Sequence, residues 1–284
     1  MKYFISLLAL GDNLISLSLL KQLDKKVKIL GTKHTKNIIE LIGANDKFDL
    51  EIVFDDIPAF YDIAKQGILQ SIKDFFTFIK YIKKNNIQEI VFEKKDFRSS
   101  LVSLFTNIKI YYPNNLNLKV YNNRQELIST VYRQSLDMKS YLLTIDKPKI
   151  IVINPLTRVE LRNIKHNHLK HIIDTLKSSG YEIYLIDIEN RYIEFESKVQ
   201  HYLTNTTLDD VRQLIEKCDL YIGGDSFLIH LAYYLKRNYF ILFYRDNDNF
   251  LPPNVYDDFY IKAHKCNDFE KELNNKFKNI GLIK

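Results

Sequence analysis

The chain has 284 residues, 46% hydrophobic and 27% charged, with a net charge of +6. That length exceeds one simple core and predicts about two domains, and apolar residues spread along the whole chain exclude extended disorder. Two cysteines, Cys218 and Cys266, give neither a disulfide framework nor metal-ligand spacing, and they read as reduced thiols.

In chain order, residues 3–10 read as a strand rather than a signal peptide, because Gly11-Asp12-Asn13 cuts the apolar run and no clean cleavage site follows. Residues 13–23 then form a helix with Leu14, Leu17 and Leu20 at helical spacing. A strand over 27–30, a helix over 35–42 and a strand over 50–54 come next. An amphipathic helix over 68–84 sets Ile68, Ile72, Phe75, Phe76, Ile79 and Ile82 on one stripe. Strands over 87–92 and 108–112 flank a helix over 97–104. Pro113 with Asn114, Asn115 and Asn117 marks a loop, and 126–138 reads as a helix. The pattern restarts after Lys147-Pro148. A β-branched run over 150–153 suits a buried parallel strand, a helix over 167–178 is stopped by Gly180, and 181–186 is a strand. A helix over 208–216 has Thr207 as N-cap and Asp210 three residues on. Strand 220–222, helix 226–235, strands 239–243 and 259–263, and helix 268–277 complete the chain.

Strand–helix alternation predicts parallel sheets covered by helices on both faces. Two such runs, joined near 144–149, predict an α/β protein of two doubly wound domains, 1–145 and 146–284, with the last helix packing back on the first domain. Such domains face each other across a cleft, and their ligands sit at the carboxyl ends of the strands. No apolar run reaches the roughly 18–20 residues that span a bilayer, so the chain reads as soluble. The positive excess favours anionic partners, but no Lys/Arg block marks a nucleic-acid arm.

Three loops at strand ends carry candidate chemistry. After the first strand, Gly11 lets the chain turn, and Asp12 reads either as a helix N-cap or as a carboxylate base. After strand 150–153, Asn154-Pro155-Leu156-Thr157-Arg158 runs on to Arg162 and Lys165. A hydroxyl with guanidinium groups there suits a phosphate, and basic residues before a helix N-terminus oppose its dipole, which favours a purpose. The third loop, Gly223-Gly224-Asp225-Ser226, joins a buried strand to a helix whose free amides attract anions, with His230 four residues past Ser226. His166 and His168 fall on different faces of a helix, which argues against a metal site. No Gly-x-Ser-x-Gly elbow, dinucleotide fingerprint or Walker loop is present.

These features together resemble glycosyltransferase family nine, the group that contains the bacterial heptosyltransferases. Gly11-Asp12-Asn13-Leu14-Ile15 is similar to its opening Gly-Asp turn. Asn154-Pro155 with Thr157, Arg158 and Arg162 is similar to its donor-phosphate loop. Cys218-Asp219-Leu220-Tyr221-Ile222-Gly223-Gly224-Asp225-Ser226 with His230-Leu231-Ala232 is similar to its Asp-Ser/Thr-Gly-x-x-His-Leu signature, although Phe227 stands where the family has glycine. The resemblance implies a GT-B fold of two Rossmann-like domains. It implies inverting sugar transfer, without a metal or other cofactor, from a nucleotide donor, ADP-linked heptose above all, to a lipopolysaccharide, lipooligosaccharide or other surface glycan. Asp12 would be the base, flanked on the acceptor side by Gly11 and Asn13. Thr157, Arg158, Arg162, Gly224 and Ser226 would hold the donor diphosphate, and Asp225, Phe227 and His230 would shape its pocket. Partners would be the nucleotide sugar and an anionic glycolipid or glycan, not nucleic acid. The location would be cytoplasmic, with peripheral contact at the inner membrane. Two alternatives stay open: a catalytically impaired relative that acts as a scaffold or glycan-binding protein, motivated by Phe227, and a different two-domain α/β enzyme such as a nucleotide-sugar epimerase.

Overall fold

The computed structural model describes residues 2–113, 118–138, 149–253 and 255–283. The expected loop at Asn114, Asn115 and Asn117 and most of the 144–149 junction lie outside the described residues. The chain folds into two compact units, Met1–Asp137 and Met138–Lys284.

In the first unit the elements run β1 (Lys2–Ser6), α1 (Leu10–Leu20), β2 (Val27–Thr32), α2 (Lys33–Leu41), β3 (Phe48–Phe54), α3 (Ile63–Gln66), α4 (Ile68–Lys84), β4 (Glu89–Val91), α5 (Phe97–Phe105), β5 (Lys109–Tyr111) and α6 (Val120–Tyr132). The sheet has the order β3-β2-β1-β4-β5, with every pairing parallel. The chain therefore walks outward from β1 to β3, then returns to place β4 on the other side of β1. That reversal is a topological switch point, where α/β sheets bind ligands beyond the strand ends. Phe4 and Ile90 in the two central strands are fully buried, as expected of strands covered on both faces. Side chains close the helix starts: Thr32 with Thr35 makes a capping box on α2, and Asp96 with Ser99 makes one on α5.

The second unit holds β6 (Ile150–Asn154), α7 (His166–Ser178), β7 (Glu182–Ile186), β8 (His201–Leu203), α8 (Leu208–Lys217), β9 (Leu220–Gly224), α9 (Phe227–Tyr234), β10 (Asn238–Leu242), β11 (Tyr260–Ile261) and α10 (Phe269–Asn279). Its sheet order is β11-β10-β9-β6-β7-β8, again parallel throughout. The switch point here lies between β6 and β9. Gly180, at φ 83°, ends α7 in the left-handed region that glycine enters at no steric cost. Thr207 caps α8 with Asp210 in the expected capping box. The helix α10 packs on α7, where His168 stacks on Phe269 at 3.6 Å.

Four expectations are corrected. The first strand stops at Ser6 rather than residue 10, and Gly11 and Asp12 lie inside α1, behind Ala9 at the N-cap. β9 runs two residues further than expected, through Gly223 and Gly224, so these glycines finish a strand instead of forming the turn. α6 begins at Val120, not 126; its first turns read as polar because Arg124, which is buried, sits on the inner face. β8 was not anticipated, being a half-buried edge strand of three residues with no apolar run to signal it.

Candidate active site

At the switch point of the first unit, Asp12 is the third residue of α1. A carboxylate in a first helical turn is favoured by the helix dipole, but here Asp12 is not the cap. Instead Arg124, reaching from α6 with a side chain only 5% exposed, grips it twice. Nη2 donates to Asp12 Oδ1 at 2.7 Å and Nη1 to the Asp12 carbonyl at 2.5 Å. Glu93, two residues beyond β4, lies 3.4 Å from the same guanidinium. Its two carboxylate oxygens are buried, with the Ser16 side chain beside them. Burial pushes the Glu93 carboxyl up to about 7; Arg124 opposes this and the charge of Asp12 adds to it. One guanidinium thus faces two carboxylates. Neither Arg124 nor Glu93 was singled out from the sequence. They stand 112 and 81 positions from Asp12, and only the place of Glu93 just past a central strand marked it in advance.

Asn13 is fully buried, with Oδ1 accepting from Ser6 Oγ at 2.9 Å and Nδ2 donating to the Leu8 carbonyl at 3.1 Å. It braces the β1–α1 connection. Gly11 is an ordinary helical residue, half-exposed beside Asp12.

At the switch point of the second unit, two loops converge. The 154–165 loop is tied to itself: Asn154 Oδ1 accepts from the Leu156 amide at 3.0 Å, Asn163 Oδ1 from the Thr157 amide at 2.7 Å, and the Pro155 carbonyl from the Ile164 amide at 2.9 Å. It lies directly on Gly224, where a Cβ would sit 2.8 Å from Thr157 Cγ2 and 2.9 Å from the Arg162 carbonyl oxygen. At Gly223 a Cβ would meet the Tyr221 hydroxyl at 2.6 Å. Close approach, not unusual backbone angles, demands both glycines. Gly224→Ala is expected to cost about 1–3 kcal/mol through forced repacking, seen as a lower midpoint in thermal unfolding; an unchanged midpoint would show that the loop does not press on the strand end.

The charged groups are partly committed. Arg162 Nη1 donates to Asp225 Oδ2 at 3.0 Å, and Asn247 Nδ2 donates to the same oxygen. Asp225 therefore ties the 154–165 loop to Asn247. The Thr157 hydroxyl donates to the Val159 carbonyl at 2.7 Å. Arg158 and Lys165 are exposed, Lys165 heading α7 with its ammonium 5.8 Å above the Tyr244 ring. Ser226 is the N-cap of α9, yet its hydroxyl makes no cap bond; Ser226 Oγ and the Tyr221 hydroxyl are both buried, and the side chains of Ser226 and Asn154 face that hydroxyl. Phe227 opens α9 on ordinary helical backbone, and His230 is buried one turn further on. The site joins helix-start amides, a buried serine hydroxyl and nearby cations, a set that suits a phosphate or diphosphate.

Two histidines of α7 stack on neighbouring rings. His166 stacks on Tyr192 at 4.5 Å, and burial pushes His168 down to about 4, keeping it neutral against Phe269 and Tyr244. Among the described residues no group of three or more His, Cys, Asp or Glu is arranged to hold a metal ion.

Comparison with known proteins fits this geometry. The family model of glycosyltransferase family 9 (heptosyltransferase) matches residues 94–280, which include Arg124, the 154–165 loop and the β9–α9 junction. No functionally curated protein is similar enough in sequence to match. Among solved structures, the fold is similar to that of the E. coli heptosyltransferase WaaC with ADP-2-deoxy-2-fluoro heptose, at 15% identity, a TM-score of 0.62 and 92% coverage of both chains. A family 9 glycosyltransferase from Veillonella parvula is similar at 12% identity and a TM-score of 0.66, covering 98% of this chain and 96% of that one. The dodecameric iron-containing heptosyltransferase TibC from enterotoxigenic E. coli, in complex with ADP-D-beta-D-heptose, is similar at 10% identity and a TM-score of 0.57, covering 98% of this chain and 77% of that one. With two Rossmann-like units of GT-B type and a family match over about two thirds of its length, the chain belongs to glycosyltransferase family 9, the heptosyltransferases.

Proposed function

We propose that the chain moves a heptose or related sugar from a nucleotide-diphosphate donor, ADP-linked, to a surface-glycan acceptor, with inversion and without a metal ion. The observation that carries this is the convergence of the 154–165 loop on Gly224 at the end of β9, just before α9 begins. The donor diphosphate sits on the first amides of α9, which have no intrahelical partners. Ser226 Oγ turns to it, Thr157 shifts its hydrogen from the Val159 carbonyl to a phosphate oxygen, and Arg162, Arg158 and Lys165 supply positive charge. Phe227 contributes its backbone amide, which any residue at that position carries. Asp12 takes the proton of the acceptor hydroxyl as that oxygen bonds to the anomeric carbon; the bond from that carbon to the diphosphate breaks, and the electron pair leaves with the phosphate. Charge grows on the diphosphate as the bond breaks, so fixed amides and cations stabilise the transition state more than the ground state.

The test is calorimetric titration with ADP, UDP and GDP, then mass spectrometry of products from ADP-heptose and a core oligosaccharide. ADP is expected to bind, and Arg162→Ala to weaken it about tenfold, as a lost charged hydrogen bond implies. Absence of binding by all three diphosphates at millimolar concentration would overturn the donor assignment. A product that retains the donor's anomeric configuration would overturn the single displacement.

A further inference from the structure

The helix α4 is apolar on two sides. Phe75, Phe78, Ile79 and Ile82 are buried in the core of the first unit, yet Ile68, Leu69, Ile72 and Phe76 on the same helix are exposed, Leu69 by 85%. The end of α5 extends this surface. Phe105 packs edge-on against Phe76 at 5.6 Å and against Phe75 at 5.8 Å, with Leu104 beside it 77% exposed. Contiguous exposed apolar surface of this kind marks an interaction site. The charge on α4 and α5 is mainly positive. Lys73, Lys80, Lys83 and Lys84 of α4 are all exposed. The one acid of α4, Asp74, is taken by the Ala59 amide at 2.7 Å and by Gln70 at 2.6 Å, and α5 contains no acidic residue.

We propose that this α4–α5 surface lies on an anionic lipid bilayer, with Ile68, Leu69, Ile72, Phe76, Leu104 and Phe105 sunk among the headgroups and the α4 lysines on lipid phosphates. No helix among the described residues is long and apolar enough to cross a membrane, so the contact is interfacial. A second copy of the chain is a poorer occupant, because it would bring two lysine clusters together, whereas a bilayer with negative headgroups neutralises them and accepts the apolar side chains. The test reads lipid binding rather than turnover, so its failure is distinct from failure of the proposed reaction.

The experiment is vesicle flotation of the whole chain with phosphatidylcholine alone and with phosphatidylcholine mixed with phosphatidylglycerol, across salt concentration. The chain is expected to float with the anionic vesicles, less at high salt, and to stay behind with neutral ones. Lys73→Gln with Lys80→Gln is expected to weaken partition about thirtyfold, and Leu69→Ser with Phe76→Ser to abolish it, with unchanged circular dichroism in both. Equal binding to neutral vesicles, no binding to anionic ones, or loss of neither in the variants would overturn the proposal. So would light scattering that shows a dimer dissolved by Leu69→Ser with Phe76→Ser in a chain that ignores vesicles.

Discussion

Asp12→Asn is expected to lower turnover about a thousandfold while leaving ADP affinity close to that of the unchanged chain. A positioned general base contributes roughly 10²–10⁴ in rate, and asparagine keeps the shape of aspartate without its basicity. The fold should tolerate the change. Arg124 still finds an amide oxygen at Oδ1 and the residue 12 carbonyl, and its charge is taken over by Glu93, which lies 3.4 Å away. The measurement is kcat with ADP-heptose beside calorimetric titration of ADP. A variant that keeps its kcat would make Asp12 only a clamp for Arg124. A variant that loses ADP binding as well would place Asp12 on the donor rather than on the acceptor hydroxyl.

Much of the framework was legible because buried parallel strands announce themselves. Runs such as Ile150-Ile151-Val152-Ile153 and the helical period of α4 carry their signal in their composition, although Ile68, Ile72 and Phe76, expected on one stripe with Phe75, Ile79 and Ile82, are exposed. Capping pairs such as Thr207 with Asp210 depend on neighbours three residues apart and so could be read directly. What stayed hidden depends on contacts between distant positions. Arg124 reads as a solvated residue on a polar helix until α6 packs on α1 and turns it inward against Asp12. Gly223 and Gly224 read as a turn, since sequence alone does not separate a glycine needed for its backbone angles from one needed for space. The second reason holds here, because Tyr221, Thr157 and Arg162 crowd them from positions that only the folded sheet brings close. The commitment of Arg162 to Asp225 is hidden in the same way.

Glu93→Gln should separate the stability of the first unit from its chemistry. The folded protein holds the Glu93 carboxyl at about 7, against an ordinary 4.5, chiefly through burial. Below the ordinary value Glu93 is protonated in both the folded and unfolded chains and exerts no pH effect. Between the two values the unfolded chain has released a proton that the folded chain keeps, so stability falls as pH rises, and above about 7 the full penalty applies, on the order of 3 kcal/mol. Glutamine never ionises. The variant is therefore expected to melt several degrees higher than the unchanged chain at about pH 8 and no higher near pH 4.5, the difference following the titration. Turnover should move the other way. With Glu93 ionised, Arg124 faces two negative charges and the cluster carries a net negative charge, which draws the acceptor proton; with glutamine the cluster is neutral and draws it less. The unchanged chain should show kcat rising with pH through about 7, and Glu93→Gln should flatten that limb while lowering its plateau. Should the melting difference appear with an unaltered pH–rate profile, Glu93 would be a buried acid that the fold tolerates and catalysis ignores. Should both appear, the costly carboxylate is retained for the charge it lends to Asp12.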